Sequence, residues 1–343
     1  MRIALDATYS VGNELTGLGV YSREILGGLP LEHPDTRFDF YYRPHMYRAS
    51  RSEKLPGNVR RRFLVEPFTP RGADLFHGLL QRLPRIRLKR SVATFHDLFF
   101  LTGEYSTPDF RARFAAQAAD AASRADAIVA ISEFTKTQVM DLLRVESSRI
   151  HVIHHGVRKL DVPVDIPRER VILCVGAVQK RKNIARLVEA FETVDPPWRL
   201  VLAGGEGYGS AEIMERIRTS PAASRIAVTG YLSIPDLASW YARASVFAFP
   251  SLDEGFGMPV LEAMAAGIPV MTSNRSALPE VAGDAALLVD PEDSTALAQA
   301  LSELTEKPEI RKILADRGLK RAEVFTWEKA VSRTWELYRR LLS

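Results

Sequence analysis

Short apolar runs alternate with helical patterns along the whole chain, and no other feature constrains the fold as strongly. This alternation is typical of parallel sheets covered by helices. The predicted strands are Arg2–Asp6, Asp39–Tyr42, Asp74–His77, Val92–His96, Ala127–Ile131, His151–His154, Val171–Val175, Leu200–Ala203, Ile226–Thr229, Val246–Phe249, Pro269–Thr272 and Ala286–Val289. Helical patterns between them include Gly19–Leu29, Pro108–Arg124, Glu133–Leu143, Ile184–Thr193, Ile234–Ala242 and Pro259–Ala266. The sequence therefore predicts an α/β protein.

The run Leu160–Glu169 separates two blocks of this pattern, because it contains two prolines and has no periodicity. A chain of 343 residues is long enough for two domains, each with a core of its own. We therefore expect a first domain in residues 1–165 and a second in residues 166–325. Ligands of such sheets gather at the carboxyl ends of the strands, so we also expect a binding cleft.

The composition is that of an ordinary globular protein, with 46% apolar and 26% charged residues. The apolar runs are strand-sized and too short to cross a bilayer. Met1 leads directly into a predicted strand and not into a signal peptide, and the single cysteine, Cys174, rules out an intrachain disulfide. We therefore expect a cytoplasmic protein.

The net charge of +4 is unevenly distributed, because Arg43–Arg90 holds 13 basic and only 3 acidic residues. One interpretation is a solvated surface. The other is a landing site for anionic lipid at the inner face of the membrane, or for an anionic acceptor. Nucleic acid is a weaker candidate as a partner, since no nucleic-acid-binding motif accompanies the charge.

The stretch 250–269 contains the most informative pattern of the chain. Gly255 and Gly257 allow the backbone to approach a ligand closely, and Pro259 suits the first turn of a helix. Amides of residues 257–261 would then point out of a helix N-terminus, which is a site for an anion.

Two carboxylates flank the start of this helix. Glu254 precedes it, and Glu262, which follows after seven intervening residues, is expected in its first turn. Both can reach one ligand, and a carboxylate can accept two hydrogen bonds from a diol. The alternative is that Glu254 is a turn residue and that Glu262 only favours the helix dipole.

The run Glu254-Gly-Phe-Gly-Met-Pro-Val-Leu-Glu262 resembles the signature of family 4 retaining glycosyltransferases, which have the GT-B fold. Pro250-Ser251 precedes the signature as in that family, and Val175-Gly176 with Lys182-Asn183 resembles the start of the family's second domain. Thr16-Gly-Leu-Gly-Val-Tyr21 resembles the N-terminal glycine loop of its mannosyltransferase-like members. The resemblance implies two Rossmann-like domains with a nucleotide diphosphate sugar in the cleft. It also implies that residues 326–343 form a helix that crosses back to the first domain and acts in the hinge.

The resemblance further implies catalytic roles. Lys182 and Arg181 would neutralise the donor diphosphate, and Glu254 would orient the transferred sugar. His96, at the end of a predicted strand, would touch that sugar, and Asp97 would orient the ring or contact the acceptor. Many family members have arginine where this chain has Ala177, which leaves open whether Arg181 supplies the missing charge.

The implied donor-binding residues lie in both domains. Gly17 and Gly19 would bring amides to the diphosphate, although a plain tight turn also explains them, and Glu262 would bind the ribose. Tyr231 or Leu232 would cover the base or belong to the core. The complete set is Gly17, Gly19, Gly176, Gly204, Gly230, Tyr231, Leu232, Gly255, Phe256, Gly257, Met258, Pro259, Val260, Leu261 and Glu262. The pair His154-His155 has no third metal ligand at useful spacing and is interpreted as the approach to the linker.

The sequence contains no Asp-x-Asp motif that would hold Mg²⁺, so we expect a metal-independent enzyme without cofactors. The preferred function is transfer of mannose from GDP-mannose to a glycan or lipid-linked acceptor. Alternatives are a related GT-B enzyme with a UDP- or dTDP-sugar, including rhamnosyl or glucosyl transfer, an epimerase or a phosphorylase. A non-catalytic protein that binds nucleotide sugars is the remaining alternative.

Overall fold

The computed structural model describes residues 1–12, 16–158 and 160–343. The chain forms two compact units. The first unit comprises Met1–Thr102, Pro108–Gly156 and Thr326–Ser343, and the second comprises Gly103–Thr107 and Val157–Phe325. Residues 160–168 form neither helix nor strand.

Within its described residues, the first unit is built on a seven-stranded parallel sheet in the order β3-β2-β1-β4-β5-β6-β7. The strands are β1 (Arg2–Asp6), β2 (Arg37–Tyr42), β3 (Val59–Phe63), β4 (Leu75–Gly78), β5 (Ser91–Phe95), β6 (Ala127–Ala130) and β7 (Ile150–Val152). The helices of this unit are α1 (Gly17–Glu32), α2 (Pro44–Ser50), α3 (Phe99–Thr102), α4 (Pro108–Arg124), α5 (Glu133–Leu143) and α13 (Trp327–Leu342). The strand order reverses between β1 and β4, where such folds open a crevice at the carboxyl ends of the strands.

The second unit has a six-stranded parallel sheet in the order β10-β9-β8-β11-β12-β13 over the residues that the structure describes. Its strands are β8 (Glu169–Val175), β9 (Arg199–Ala203), β10 (Ile226–Gly230), β11 (Ala244–Phe249), β12 (Val270–Ser273) and β13 (Ala286–Val289). Its helices are α6 (Ile184–Phe191), α7 (Ser210–Arg218), α8 (Ile234–Arg243), α9 (Met258–Ala265), α10 (Leu278–Ala282), α11 (Ser294–Glu306) and α12 (Pro308–Ala322). Here the strand order reverses between β8 and β11.

The predicted α/β class is confirmed, because both sheets are parallel and their central strands are buried on both faces. Every predicted strand is present within a residue or two of its expected ends. The prediction missed β3, whose Val-Arg-Arg-Arg-Phe sequence was interpreted only as surface charge. β3 is an edge strand that pairs with β2, and an edge position tolerates this polarity.

The last helix, α13, belongs to the first unit, where it packs on α1. A Cβ atom on Gly28 of α1 would lie 2.5 Å from Val331 Cγ2 of α13, so only glycine permits this close approach. Among the helices of the described residues, none combines the length and apolar character that a membrane span requires.

Candidate functional site

Three of the predicted glycines meet at the carboxyl edge of the second sheet. Gly176 follows β8, Gly204 follows β9, and Gly230 ends β10. Gly204 forms a bridge with Gly230, and a Cβ atom on Gly204 would lie 2.1 Å from the carbonyl oxygen of Gly176. The strand ends are therefore lined by backbone, which leaves room for a ligand to approach closely.

Lys182 lies in a 3₁₀ turn, Lys180–Lys182, that follows β8. Its Nζ is 2.5 Å from Oε1 of Glu254, and Arg181 Nη1 is 3.2 Å from Oε2 of the same carboxylate. Ser251 donates a hydrogen bond from Oγ to Glu254 Oε1 over 2.6 Å. The structure thus brings the two predicted diphosphate ligands, Lys182 and Arg181, together with the predicted sugar ligand, Glu254, although this pairing was not predicted.

This cluster is buried, since Glu254 and Lys182 are each 8% exposed. Burial alone would raise the pKa of Glu254, but Arg181, Lys182 and the Ser251 hydroxyl outweigh it and lower the pKa to about 2. Burial lowers the pKa of Lys182, and Glu254 partly offsets this effect. Glu254 is therefore ionised at neutral pH, and two cations around one carboxylate leave a net charge of +1.

Further contacts fix the Lys182 side chain and its turn. The ammonium group lies 4.6 Å from the ring centroid of Phe249, within the range of a cation–π interaction. Leu252 donates its backbone N–H to the Arg181 carbonyl over 2.8 Å, and Arg181 donates from Nη1 to the carbonyl of Asp253. The turn after β8 and the loop after β11 are therefore held together by backbone as well as by charge.

The start of α9 differs from the prediction in two respects. Gly257 is the N-cap residue, but Pro259 has no N–H and the Val260 N–H donates to the Gly257 carbonyl over 2.9 Å. Fewer amides therefore face outward than the predicted run from Gly257 to Leu261. Glu262 is the fifth residue of α9, which begins at Met258, and so lies beyond the first turn.

Several predicted donor-binding side chains belong to the core of the second unit. Val260 and Leu261 are 0% exposed, and the Phe256 ring packs edge-on against Phe325 with centroids 5.7 Å apart. These residues can offer a ligand only their backbone atoms. Tyr231, in contrast, is 51% exposed just after β10, which rules out the core role considered for it, and Leu232 beside it is half-buried.

Glu262 is also buried and has a partner on each oxygen. Arg158 Nε lies 2.8 Å from Oε1, and Tyr241 donates its hydroxyl to Oε2 over 2.8 Å. Burial raises the pKa of Glu262, and Arg158 and Tyr241 only partly oppose this shift. Sequence reasoning missed both partners, because nothing in the local sequence indicates that Tyr241 or Arg158 reaches Glu262.

In the first unit, Gly17 and Gly19 do not form a loop but lie in the first turn of α1, after the N-cap Thr16. The first backbone bond of the helix runs from Val20 N–H to the Thr16 carbonyl over 3.0 Å. The amides of residues 17–19 therefore precede the helical ladder, a feature of helix N-termini in general that makes an anion site possible there. Residues 13–15, which precede the predicted Thr16–Tyr21 motif, lie outside the described residues.

His96 follows β5 and is partly exposed. It donates a hydrogen bond from Nε2 to the Leu79 carbonyl over 2.9 Å. Burial of most of the ring lowers its pKa to about 4, although the bond to Leu79 opposes the shift. At neutral pH His96 is therefore an uncharged imidazole whose Nδ1 is a hydrogen-bond acceptor. Asp97, the next residue, is also partly exposed.

His155 makes ring contacts that the sequence did not predict. It lies at the approach to the linker, as interpreted, because this part of the first unit ends at Gly156. It is also buried in the first unit and stacks on Tyr21 with ring centroids 4.9 Å apart. Its ring centroid lies 5.4 Å from that of His96. The described residues contain no group of three His, Cys, Asp or Glu side chains arranged to hold a metal ion.

Comparison with known proteins gives the same assignment for both halves of the chain. Residues 12–159 match the family described as Glycosyltransferase Family 4, and residues 159–321 match Glycosyl transferases group 1. O-antigen chain mannosyltransferase B of Escherichia coli is 28% identical over 98% of this chain and 99% of its own length.

Solved structures of low sequence identity share the fold. Sucrose-phosphate synthase from Thermosynechococcus elongatus has a TM-score of 0.77 at 22% identity, over 99% of both chains. Anabaena Alr3699/HepE in complex with UDP-glucose has a TM-score of 0.75 at 16% identity, also over 99% of both chains. These likenesses confirm the GT-B fold class that the sequence predicted.

Proposed function

This chain belongs to the family 4 glycosyltransferases, and from that premise we propose that it is a retaining, metal-independent mannosyltransferase that uses GDP-mannose. The proposed acceptor is a growing glycan on a lipid carrier. The observation that supports the proposal most directly is the buried cluster of Arg181, Lys182 and Glu254 beside the glycine-lined strand ends.

The cluster suits the charge changes of sugar transfer. As the bond between the anomeric carbon and the diphosphate breaks, negative charge grows on the β-phosphate and positive charge grows on the sugar. Lys182 and Arg181 stabilise the phosphate charge, and each fixed donor contributes roughly 2–4 kcal/mol in a water-excluded site. No metal is needed in this scheme, because the protein supplies the positive charge.

The proposed retention of configuration places the acceptor hydroxyl on the same face of the sugar as the leaving diphosphate. The acceptor oxygen bonds to the anomeric carbon, and its proton passes to an oxygen of the departing β-phosphate. Glu254, ionised throughout, orients the sugar and stabilises its positive charge. His96 accepts a hydrogen bond at Nδ1 from a hydroxyl of the substrate, and its low pKa makes it a poor proton donor at neutral pH.

The choice of mannose rests on the likeness to a mannosyltransferase and on the Thr16–Tyr21 motif. UDP-sugars are the second candidate, because one protein of the same fold binds UDP-glucose. A thermal-shift panel of GDP, UDP, dTDP and ADP with their sugars separates the two, since only the correct nucleotide raises the melting temperature. Assays of transfer and of donor hydrolysis then separate a transferase from an epimerase, a phosphorylase or a protein that only binds the sugar nucleotide.

We also propose that the basic stretch Arg43–Arg90 contacts an anionic membrane. Within it, Arg43 and Arg82 pair with Glu66, and Arg62 pairs with Asp39, so these charges are used inside the unit. The charge available to a partner lies on exposed residues, which include Arg60, Arg71, Arg85 and Arg87, with Phe68 61% exposed nearby in sequence.

Vesicle co-sedimentation tests this contact. Vesicles rich in phosphatidylglycerol should bind the parent chain, and the double variant Arg85→Glu/Arg87→Glu should bind them less. The control is Arg317→Glu/Lys320→Glu, which changes two exposed basic residues of the second unit by the same charge. Equal binding by both variants and the parent would rule out the proposed surface.

A further inference from the structure

A network of four buried, hydrogen-bonded side chains, called here the hydrogen-bond network, crosses the core of the first unit. Tyr338 of α13 is hydrogen-bonded through its hydroxyl to Nδ1 of His77 in β4 over 2.5 Å. His77 Nε2 is bonded to Thr94 Oγ1 in β5 over 2.7 Å, and Thr94 Oγ1 to the Tyr21 hydroxyl in α1 over 2.9 Å. The four side chains are almost completely buried, so the hydrogen-bond network has no contact with bulk water.

These bonds are satisfied only as a set. Burial lowers the pKa of His77 to about 3, so the ring is neutral and carries a single N–H. One ring nitrogen must then donate and the other accept, and the hydroxyls of Tyr338 and Thr94 can each take either role. Removal of one member leaves a buried polar neighbour unpaired, which is costly in a water-free core.

The hydrogen-bond network ends at Tyr21, whose ring contacts His96. The Tyr21 ring meets the His96 ring edge-on, with centroids 4.8 Å apart and planes at 78°. On another side the same ring stacks on His155 at 4.9 Å. His96 itself directly follows the end of β5 and lies outside the strand. Its orientation depends on the Leu79 carbonyl and on the rings of Tyr21 and His155.

We propose that Tyr21 is a positioning residue for His96 and that Thr94, His77 and Tyr338 fix Tyr21 in place. Through the hydrogen-bond network, helix α13 determines how His96 Nδ1 is oriented towards the substrate. The inference rests on the proposed function in one respect, namely that His96 contacts the substrate during sugar transfer.

Two nearly isosteric variants interrupt the hydrogen-bond network at different points. Thr94→Val removes the central hydroxyl, and Tyr338→Phe removes the outer one. Each variant should lower kcat by about tenfold and change the KM for the donor by less than about twofold, because misplacement of a contact made in the transition state acts on kcat. The double variant should lose no more than the worse single variant, since both changes break one unit.

The matched control is Tyr42→Phe, which removes the hydroxyl of another fully buried tyrosine of the same unit, in β2. It should leave kcat unchanged. If Thr94→Val and Tyr338→Phe melt at lower temperature but keep the parent kcat while folded, the hydrogen-bond network only stabilises the fold and the proposal is wrong. Multiplicative losses in the double variant would contradict it as well.

A second readout does not depend on catalysis. Nitrogen-15 NMR of histidine-labelled protein should show His96 in the single Nε2–H tautomer in the parent, and a mixture of tautomers in Thr94→Val. An unchanged tautomer in that variant would overturn the positioning role. If the parent transfers no sugar from any donor, the proposed function fails. The NMR result still decides whether the hydrogen-bond network orients His96.

Discussion

Lys182 Nζ and Glu254 Oε1 lie 2.5 Å apart, although 72 positions separate the two residues in sequence. The contact joins the turn after the first strand of the second unit to the loop that precedes α9. Lys182, which we propose to bind the phosphate, and Glu254, which we propose to bind the sugar, are therefore in direct contact with each other. The two residues and Arg181 form a buried unit whose charge balance sets the behaviour of each member.

Glu254→Gln keeps the shape of the side chain and removes its charge. We expect kcat to fall at least about a hundredfold, because the sugar loses the carboxylate that stabilises its positive charge. The KM for the donor should not rise, since Lys182 and Arg181 remain and the local charge increases from +1 to +2. Steady-state kinetics of Glu254→Gln and of the parent measure these separate effects on kcat and KM.

The control for that experiment is Glu192→Gln, which breaks a more exposed ion pair with Arg216 in the same unit. It should change the free energy of unfolding by no more than about 1 kcal/mol and leave kcat unchanged. A Glu254→Gln enzyme with parental kcat would contradict the assignment of Glu254.

Stability should depend on pH through Glu254. The folded protein lowers its pKa from 4.5 to about 2, so the carboxylate stabilises the fold above pH 4.5 and loses this effect as pH falls towards 2. The full contribution is roughly 3 kcal/mol. Urea unfolding of the parent and of Glu254→Gln should therefore differ by a constant amount between pH 5 and 7 and converge below pH 4. A difference that does not shrink on acidification would contradict the ionised, paired state.

Arg158→Met tests whether Glu262 binds the ribose. Loss of the arginine leaves the Glu262 carboxylate buried with only the Tyr241 hydroxyl, so the carboxylate should become protonated more readily and bind a diol less well. We expect about tenfold weaker binding of GDP and unchanged binding of pyrophosphate, which lacks a ribose. Calorimetry with the two ligands measures both effects. Equal weakening for both ligands would indicate a general disturbance of the site.

Gly204→Ala tests the close backbone approach at the strand ends. The new Cβ would lie 2.1 Å from the Gly176 carbonyl oxygen, and backbone cannot rotate away as a side chain can. We expect a loss of at least about 1–3 kcal/mol in the free energy of unfolding, with a higher KM for the donor. The neighbour Gly205→Ala is the control, because no atom lies within 4 Å of its added Cβ. Similar stability of the two variants would contradict this account of the strand ends.

The sequence predicted the elements of the fold well, because apolar periodicity is a local signal. The bounds of Pro108–Arg124 and Glu133–Leu143 agree with the structure, and the helix expected in residues 326–343 spans Trp327–Leu342. The edge strand Val59–Phe63 was missed because three arginines mask its alternation, and an edge strand needs little apolar surface. Local pattern thus fails where pairing with a neighbour, and not burial, determines the structure.

The candidate site was predicted as a set of residues but not as a set of contacts. The motif around Glu254 and the turn at Lys182 were both found, yet no local pattern indicates that they form an ion pair. Arg158 and Tyr241 reach Glu262 from distant elements, and His155 reaches Tyr21 in the same way. Such contacts depend on the packing of whole elements, which sequence periodicity does not specify.

The central claim is that Lys182 stabilises the departing diphosphate, and the rate of sugar transfer by Lys182→Ala tests it most directly. With circular dichroism showing a folded variant, and with saturating GDP-mannose and a glycan acceptor, we expect kcat at least about a hundredfold below that of the parent. A folded Lys182→Ala protein that transfers sugar at the parental rate would contradict the account.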